Sequence, residues 1–125
     1  MTIPPVFQYC VVRNGRLESV EAQVFFSGDT VHGGVPLARA FPADSTYALN
    51  APWYVYSQFI TVAGGLYVKY GLPRILAVTD VVPVAAYRGV AVFAEPVANP
   101  RRPEVVYIPV RPGCEFQTYV PMAKM

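Results

Sequence analysis

WYVYSQFITVAGGLYVKYG, residues 53–71, carries a single formal charge, Lys69. A run so poor in charge fits a membrane span, a buried strand pair, or a surface that a partner covers. A spanning helix needs ~20 mostly apolar, helix-compatible residues. Here Ser57, Gln58 and Thr61 interrupt the run and Gly64-Gly65 sits inside it. The remaining residues are aromatic or β-branched and suit a pleated strand. The sequence therefore predicts no membrane span. It predicts a hairpin turning at Gly64-Gly65, because glycine accepts the positive φ that a two-residue type I′ turn demands.

That turn implies a register in which Val62 faces Tyr67, Thr61 faces Val68 and Ile60 faces Lys69. Side chains alternate between the two faces of a strand pair. One face then holds Trp53, Val55, Phe59, Leu66, Val68, Tyr70 and Leu72 and reads as core. The other holds Tyr54, Tyr56, Gln58, Ile60, Tyr67 and Lys69 and reads as an amphipathic interaction face, since tyrosine buries a ring while its hydroxyl finds a partner. On this reading Phe59→Ala costs ~3–5 kcal/mol, and Tyr56 and Tyr67 lie in a subunit contact.

A second hairpin signal stands near the N-terminus. Asn14-Gly15 is the strongest short turn signal, and it pairs Val12 with Leu17, Cys10 with Ser19 and Tyr9 with Val20. Phe7, Tyr9, Val11, Val20, Ala22, Val24 and Phe26 then share a core face, while Gln8, Ser19, Glu21 and Gln23 mark a wet one. Residues 36–41 allow one short helical turn, opened by Pro36 and closed before Pro42. RILAVTD (residues 74–80) reads as a buried strand. Residues 81–96 read as strands broken near Arg88-Gly89, with Pro83 marking an edge or bulge. The last strand pair turns at Pro112-Gly113, with Pro109 again pointing to an edge. The whole is about eight or nine short strands in one domain, residues 1–125: an all-β antiparallel sandwich or barrel.

Apolar residues make up 54% of the chain and charged residues 14%, against a usual ~25% charged. Mean hydropathy is +0.32. So few charges on a small domain favour burial between subunits, a homo-oligomer or larger protein assembly. The net charge of +2 supplies no broad field for nucleic acid, which is disfavoured as a partner. The N-terminus shows no basic segment followed by a long apolar core, so no signal peptide is expected and an intracellular setting, or a leader already removed, follows. Cys10 and Cys114 match no zinc or redox spacing. Paired, they would tie the first strand to the last; unpaired, they are small core residues.

Lys69 and Lys124 are the only lysines, asparagine is confined to Asn14, Asn50 and Asn99, and there are 13 prolines. Few amides and proline-rich connections belong to the thermostable pattern. The Val-, Tyr-, Pro- and Arg-rich style of YGLPRILAV (residues 70–78) and VVYIPVRPG (residues 105–113) resembles small proteins of hyperthermophilic archaea and their viruses. The resemblance is one of composition over the whole chain and transfers no functional residue; it implies a virion or virus-encoded accessory protein.

Chemistry-bearing residues are sparse. His32, the only histidine, sits in a loop-like stretch with Asp29, a candidate acid–base couple or ligand contact. A metal site needs three or four matched ligands, and none stands nearby in sequence; no metal or cofactor is expected. A nucleophile would require His32 to meet Cys10, Cys114 or Ser45 in space. Asp29, Asp44, Asp80, Glu95, Glu104 and Glu115 are the carboxylates open to paired acid–base work. Asp80 has the most apolar sequence neighbours, though a turn aspartate suits it better. Gly28 and Gly33-Gly34 form no phosphate loop. Arg101 and Arg102, with Arg13 and Arg16, are candidate anion contacts. The leading expectation is a non-enzymatic, self-associating interaction or structural module. The alternative is a lectin-like barrel binding a small molecule or sugar through Trp53, Tyr54, Tyr56, Tyr67 or Lys69, followed by a small enzyme using His32 and Asp29.

Overall fold

The computed structural model describes residues 5–25, 28–42, 44–96, 98–99 and 102–122. Among the described residues the fold is all-β and antiparallel, with ten strands in two sheets. β1 (Val6–Arg13) and β2 (Arg16–Val24) form the first hairpin. Asn14 and Gly15 take φ of 51° and 73°, the left-handed pair a type I′ turn needs. The register is the expected one, with Val12 opposite Leu17, Cys10 opposite Ser19 and Tyr9 opposite Val20. β3 (Thr30–His32) and β4 (Val35–Pro36) complete a sheet in the order β1-β2-β3-β4. The helical turn follows as α1 (Leu37–Ala40), inside the expected segment.

The second sheet contains β5 (Ile60–Val62), β6 (Gly65–Ile75), β7 (Val82–Tyr87), β8 (Val90–Ala94), β9 (Val106–Arg111) and β10 (Glu115–Pro121). Their order is β5-β6-β10-β9-β8-β7. The two end strands, β5 and β7, touch, so the sheet curls into a nearly closed barrel and shields its own edges. Pro83 lies on the end strand β7, where the register shifts between Pro83 and Ala85. Pro109 is a correction: it sits on β9, an interior strand. There the β8–β9 ladder shrinks to Phe93 opposite Tyr107, because proline has no N–H to give. The Pro109 carbonyl accepts the Ala48 N–H at 2.9 Å.

Three apolar layers hold these pieces together. Inside the barrel, Ile60, Val62, Tyr67, Val92, Ile108 and Tyr119 pack with Trp53. On its outside, Leu76, Phe93, Tyr107 and Phe116 are covered by Val12, with Cys10 and Leu17 alongside. On the far side of the hairpin, Val11 and Val20 pack on Phe41, with Leu37 and Ala40 of α1 against them. The hairpin face expected to be wet is therefore wet only in part. Gln8, Ser19 and Glu21 are exposed, while the tip of the same face lies on the barrel. On the opposite face Phe7 is exposed, and Phe26 lies outside the described residues. Cys10 and Cys114 form a disulfide, with Cα atoms 5.2 Å apart, joining β1 to the turn before β10. The free edge of β1 is blunted at the same end: the Val12 N–H donates to the Tyr47 hydroxyl at 2.9 Å, and the Gly113 N–H to the Cys10 carbonyl at 2.7 Å.

The central hairpin departs from expectation in two ways. Its turn is Ala63-Gly64, with φ of 50° and 80°, so Val62 faces Gly65, Thr61 faces Leu66 and Ile60 faces Tyr67. Holding alanine in the left-handed region costs ~1–2 kcal/mol. Tertiary contacts offset this: Tyr67 enters the barrel and donates its hydroxyl to the Pro103 carbonyl at 2.6 Å. Moving a turn by one residue shifts every cross-strand partner by two and leaves the two side-chain sets intact. What inverts, Trp53 and Val68 apart, is which set is core. Ile60, Val62 and Tyr67 are buried, and Phe59, Leu66, Tyr70 and Leu72 are exposed.

Trp53 and Val68 are buried as expected, Trp53 by another route. Residues 53–56 are not strand: Pro52 opens the short helix α2 (Pro52–Val55), its φ preset for a first helical position. The helix delivers Trp53 into the barrel, edge-on to Tyr87 at 5.1 Å, and leaves Val55 exposed. RILAVTD is likewise no single buried strand. Arg74 and Ile75 end β6 exposed, Leu76 is buried, and Val78–Asp80 is a 3-10 turn. Among the described residues no helix is long and apolar enough to cross a membrane.

Candidate functional site

The one charge of residues 53–71 does not reach the outer surface of the hairpin. Lys69 lies on the barrel side of β6, between Tyr67 and the bulge that follows. Its ammonium donates to the Tyr54 carbonyl at the end of α2 and stands 3.7 Å from the centre of the Tyr54 ring. Burial holds the Lys69 pKa below the ordinary lysine value. The Tyr54 hydroxyl donates to Gln117 Oε1 at 3.1 Å. Gln117 Nε2 donates to the carbonyls of Tyr70 and Gly71 at 3.0 Å each. Gln117 is 1% exposed, and a buried amide must be satisfied in this way.

Those last bonds clamp a bulge. Between Phe116 and Thr118 the register with β6 shifts, so that Gly71, Leu72 and Pro73 lie opposite Gln117 alone. Gly71 takes φ of 71°, which glycine accepts at no steric cost. The bulge thrusts Leu72 outward until 86% of it is exposed. Bulges re-aim side chains in this manner. Sequence reasoning missed Gln117; its signal was a lone amide inside the strand-like stretch EFQTYVP.

The outer face of β6 is largely open, although Val68 on it is buried. Hairpin β1–β2 shields the barrel exterior around Phe93 and Phe116. Phe59, Leu66 and Tyr70 remain 50%, 49% and 60% exposed. Val120 and Thr118 of β10 lie beside Val68 and Tyr70 by register. Val55, Tyr56 and Ile75 are further exposed apolar or aromatic residues on α2, its C-cap and β6. A groove of about 750 Å³ opens at the hairpin tip, lined by Val62, Leu66, Tyr67, Pro103, Pro121 and Met122, with Arg102 and Glu104 on its wall.

The expected interaction residues are thus divided. Tyr54 and Lys69 meet at the barrel mouth, Tyr67 is core, and Tyr56 and Gln58 are exposed. The expected ligand contacts do not converge on one site. His32 Nδ1 donates to the Glu21 carbonyl at 2.5 Å and its ring lies 5.1 Å from Phe41. The Asp29 carbonyl accepts the Phe25 N–H at 2.9 Å. Arg102 is in the groove, and Arg101 lies outside the described residues. Asp80 caps its 3-10 turn, accepting the Ala77 N–H at 2.8 Å, as a turn aspartate does. Among the described residues no group of three or more His, Cys, Asp or Glu is placed to hold a metal.

Buried phenols set the alkaline limit. Burial raises the pKa of Tyr47, Tyr54, Tyr67, Tyr107 and Tyr119 above the ordinary tyrosine value. The Tyr119 hydroxyl is fully enclosed with no hydrogen-bond partner among the described residues. Above pH ~10, where unfolded tyrosines ionise, the folded chain holds more protons than the unfolded one, so stability falls as pH rises through the folded values. Lys69 works in the opposite sense: its lowered pKa returns stability as pH climbs toward ~10.4. Five phenols outweigh one amine. Urea midpoints are therefore expected to drop between about pH 9 and about pH 12, with tyrosinate absorbance lagging behind that of the unfolded chain. A flat or rising midpoint would contradict this burial pattern.

Compared with models of known protein families, with curated proteins and with solved structures, the chain matches none.

Proposed function

We propose that this protein is a non-catalytic β-barrel module that self-associates through the outer face of its β5–β6 hairpin. One observation carries the reading: Phe59, Leu66, Tyr70 and Leu72 are exposed on or beside that hairpin, while Lys69, the only charge between Trp53 and Gly71, is turned onto the Tyr54 carbonyl and Arg74, the other charge of β6, lies beyond the bulge. With Val55, Tyr56 and Ile75 added, seven side chains keep about half or more of their surface. They amount to on the order of 800 Å², the share one partner gives to a standard interface. Solvated monomers rarely leave such a patch open.

Light scattering across a dilution series tests the proposal. The wild-type chain is expected to associate. Phe59→Glu with Tyr70→Glu is expected to weaken association ~30-fold or more, the equivalent of ~2 kcal/mol, because carboxylates must be desolvated in the contact. Circular dichroism should stay unchanged. A wild-type monomer at every concentration would overturn the proposal.

The compositional resemblance supports a hyperthermophilic setting, in which such a module serves as a viral structural or accessory protein. The matching expectation is a melting point above the mesophilic ~45–65 °C, read by calorimetry; a value inside that window removes the support.

A further inference from the structure

The two ends of β6 are unlike, and each suits the other. At one end the clamped bulge holds Leu72 out, 86% exposed. At the other, the groove of about 750 Å³ presents Leu66, Pro103, Pro121 and Met122 around the Tyr67 ring. Leu66 belongs to both the groove and the outer face. Tyr67 pairs with Pro121, which sets Met122 near Leu66. Groove and knob are thus separated by six residues of strand, ~20 Å at the usual rise.

We infer that the occupant of each groove is Leu72 of a second copy. The inference rests on the proposed self-association and specifies its geometry. Two barrels stack by their outer faces with their β6 strands antiparallel about a two-fold axis. Each Leu72 enters the other's groove, and Phe59 and Tyr70 fill the middle. A two-fold contact buries the same patch on both copies and closes after two. Three observations favour a copy of this chain over another occupant. The groove shares Leu66 with the apolar face. Its apolar lining of Leu66, Pro103, Pro121 and Met122 suits an apolar protrusion, and Leu72 between Gly71 and Pro73 is one. The buried Gln117 amide holds that protrusion in place before binding, which cuts the ordering cost of association.

Cross-linking tests the arrangement. Both native cysteines are tied up in their disulfide. In a Leu72→Cys, Met122→Cys double variant the new thiols are too far apart to bridge within one chain, since a disulfide needs Cα atoms within ~7 Å. Mild oxidation is expected to give a covalent dimer, with both new thiols of each chain consumed. Leu72→Cys alone and Met122→Cys alone should remain uncross-linked. Leu72→Arg should shift the elution of the native protein from dimer to monomer with circular dichroism unchanged. A wild-type monomer sinks the self-association reading and this inference together. A wild-type oligomer that is unaffected by Leu72→Arg, or that fails to cross-link in the double variant, sinks only the knob-and-groove pairing. Oxidation to chains longer than a dimer sinks the two-fold closure.

Discussion

Replacing both Cys10 and Cys114 by alanine is expected to lower the stability of the fold by about 4–5 kcal/mol. The bridge spans a sequence separation of 104, and closing a loop of ~100 residues removes ~4.7 kcal/mol of chain entropy from the unfolded state. Packing losses should be small beside this. Cys114 is buried in the layer between barrel and hairpin, and alanine keeps its β-carbon there. The bond also joins two layers that meet mainly through side chains: β1 belongs to one sheet and β10 to the other. Urea midpoints of the variant, and of the wild type with and without reductant, read the effect. Reductant should destabilise the wild type and leave the double variant unchanged. A loss below ~1 kcal/mol would mean that the unfolded chain is already compact enough to bring its ends together.

Two adjacent residues carry the second expectation. Ile60→Ala should cost ~2–5 kcal/mol, since the side chain is removed from a closed barrel interior and a cavity remains. Phe59→Ala should cost less than ~1 kcal/mol in the dilute monomer, because half of its surface is already in water. Ile60 is 0% exposed and Phe59 is 50% exposed. Alternation along the strand, read with the opposite face inside, expects the reverse ranking. Denaturant midpoints at low protein concentration separate stability from association. A larger cost for Phe59→Ala than for Ile60→Ala would show the hairpin to be inside out relative to this structure.

Some features were legible because their causes are local. Asn14-Gly15 supplies both left-handed residues of its turn, and a two-residue turn leaves only one register for the strands it joins. Pro83, lacking an N–H, could not sit in a fully bonded ladder and lies at a register shift on an end strand. Pro109 has the same defect and lies on an interior strand, where a carbonyl–N–H bond from Ala48 replaces part of a ladder. Which strand becomes an edge depends on the order of all six, and no stretch of residues encodes that order by itself. Helix α2 is a similar case: WYVY has strand-like composition, yet Pro52 and the space for Trp53 inside the barrel set its conformation.

The candidate interface was half legible. Residues 53–71 carry a single charge, Lys69, and alternation sorts them into two sets with no reference to the rest of the chain. The period of two is a property of the strand backbone, so the sets stand whatever the hairpin packs against. Which set is inside is a property of the closed sheet. Curling β5 onto β7 puts Ile60, Val62 and Tyr67 in the barrel and takes Lys69 to Tyr54. Phe59, Leu66, Tyr70 and Leu72 remain outside. By composition the set left mostly outside is the more apolar, since Gln58 and Lys69 belong to the other, so local hydrophobicity alone pointed to the wrong face. The choice was made by distant strands, through the direction in which the whole sheet bends.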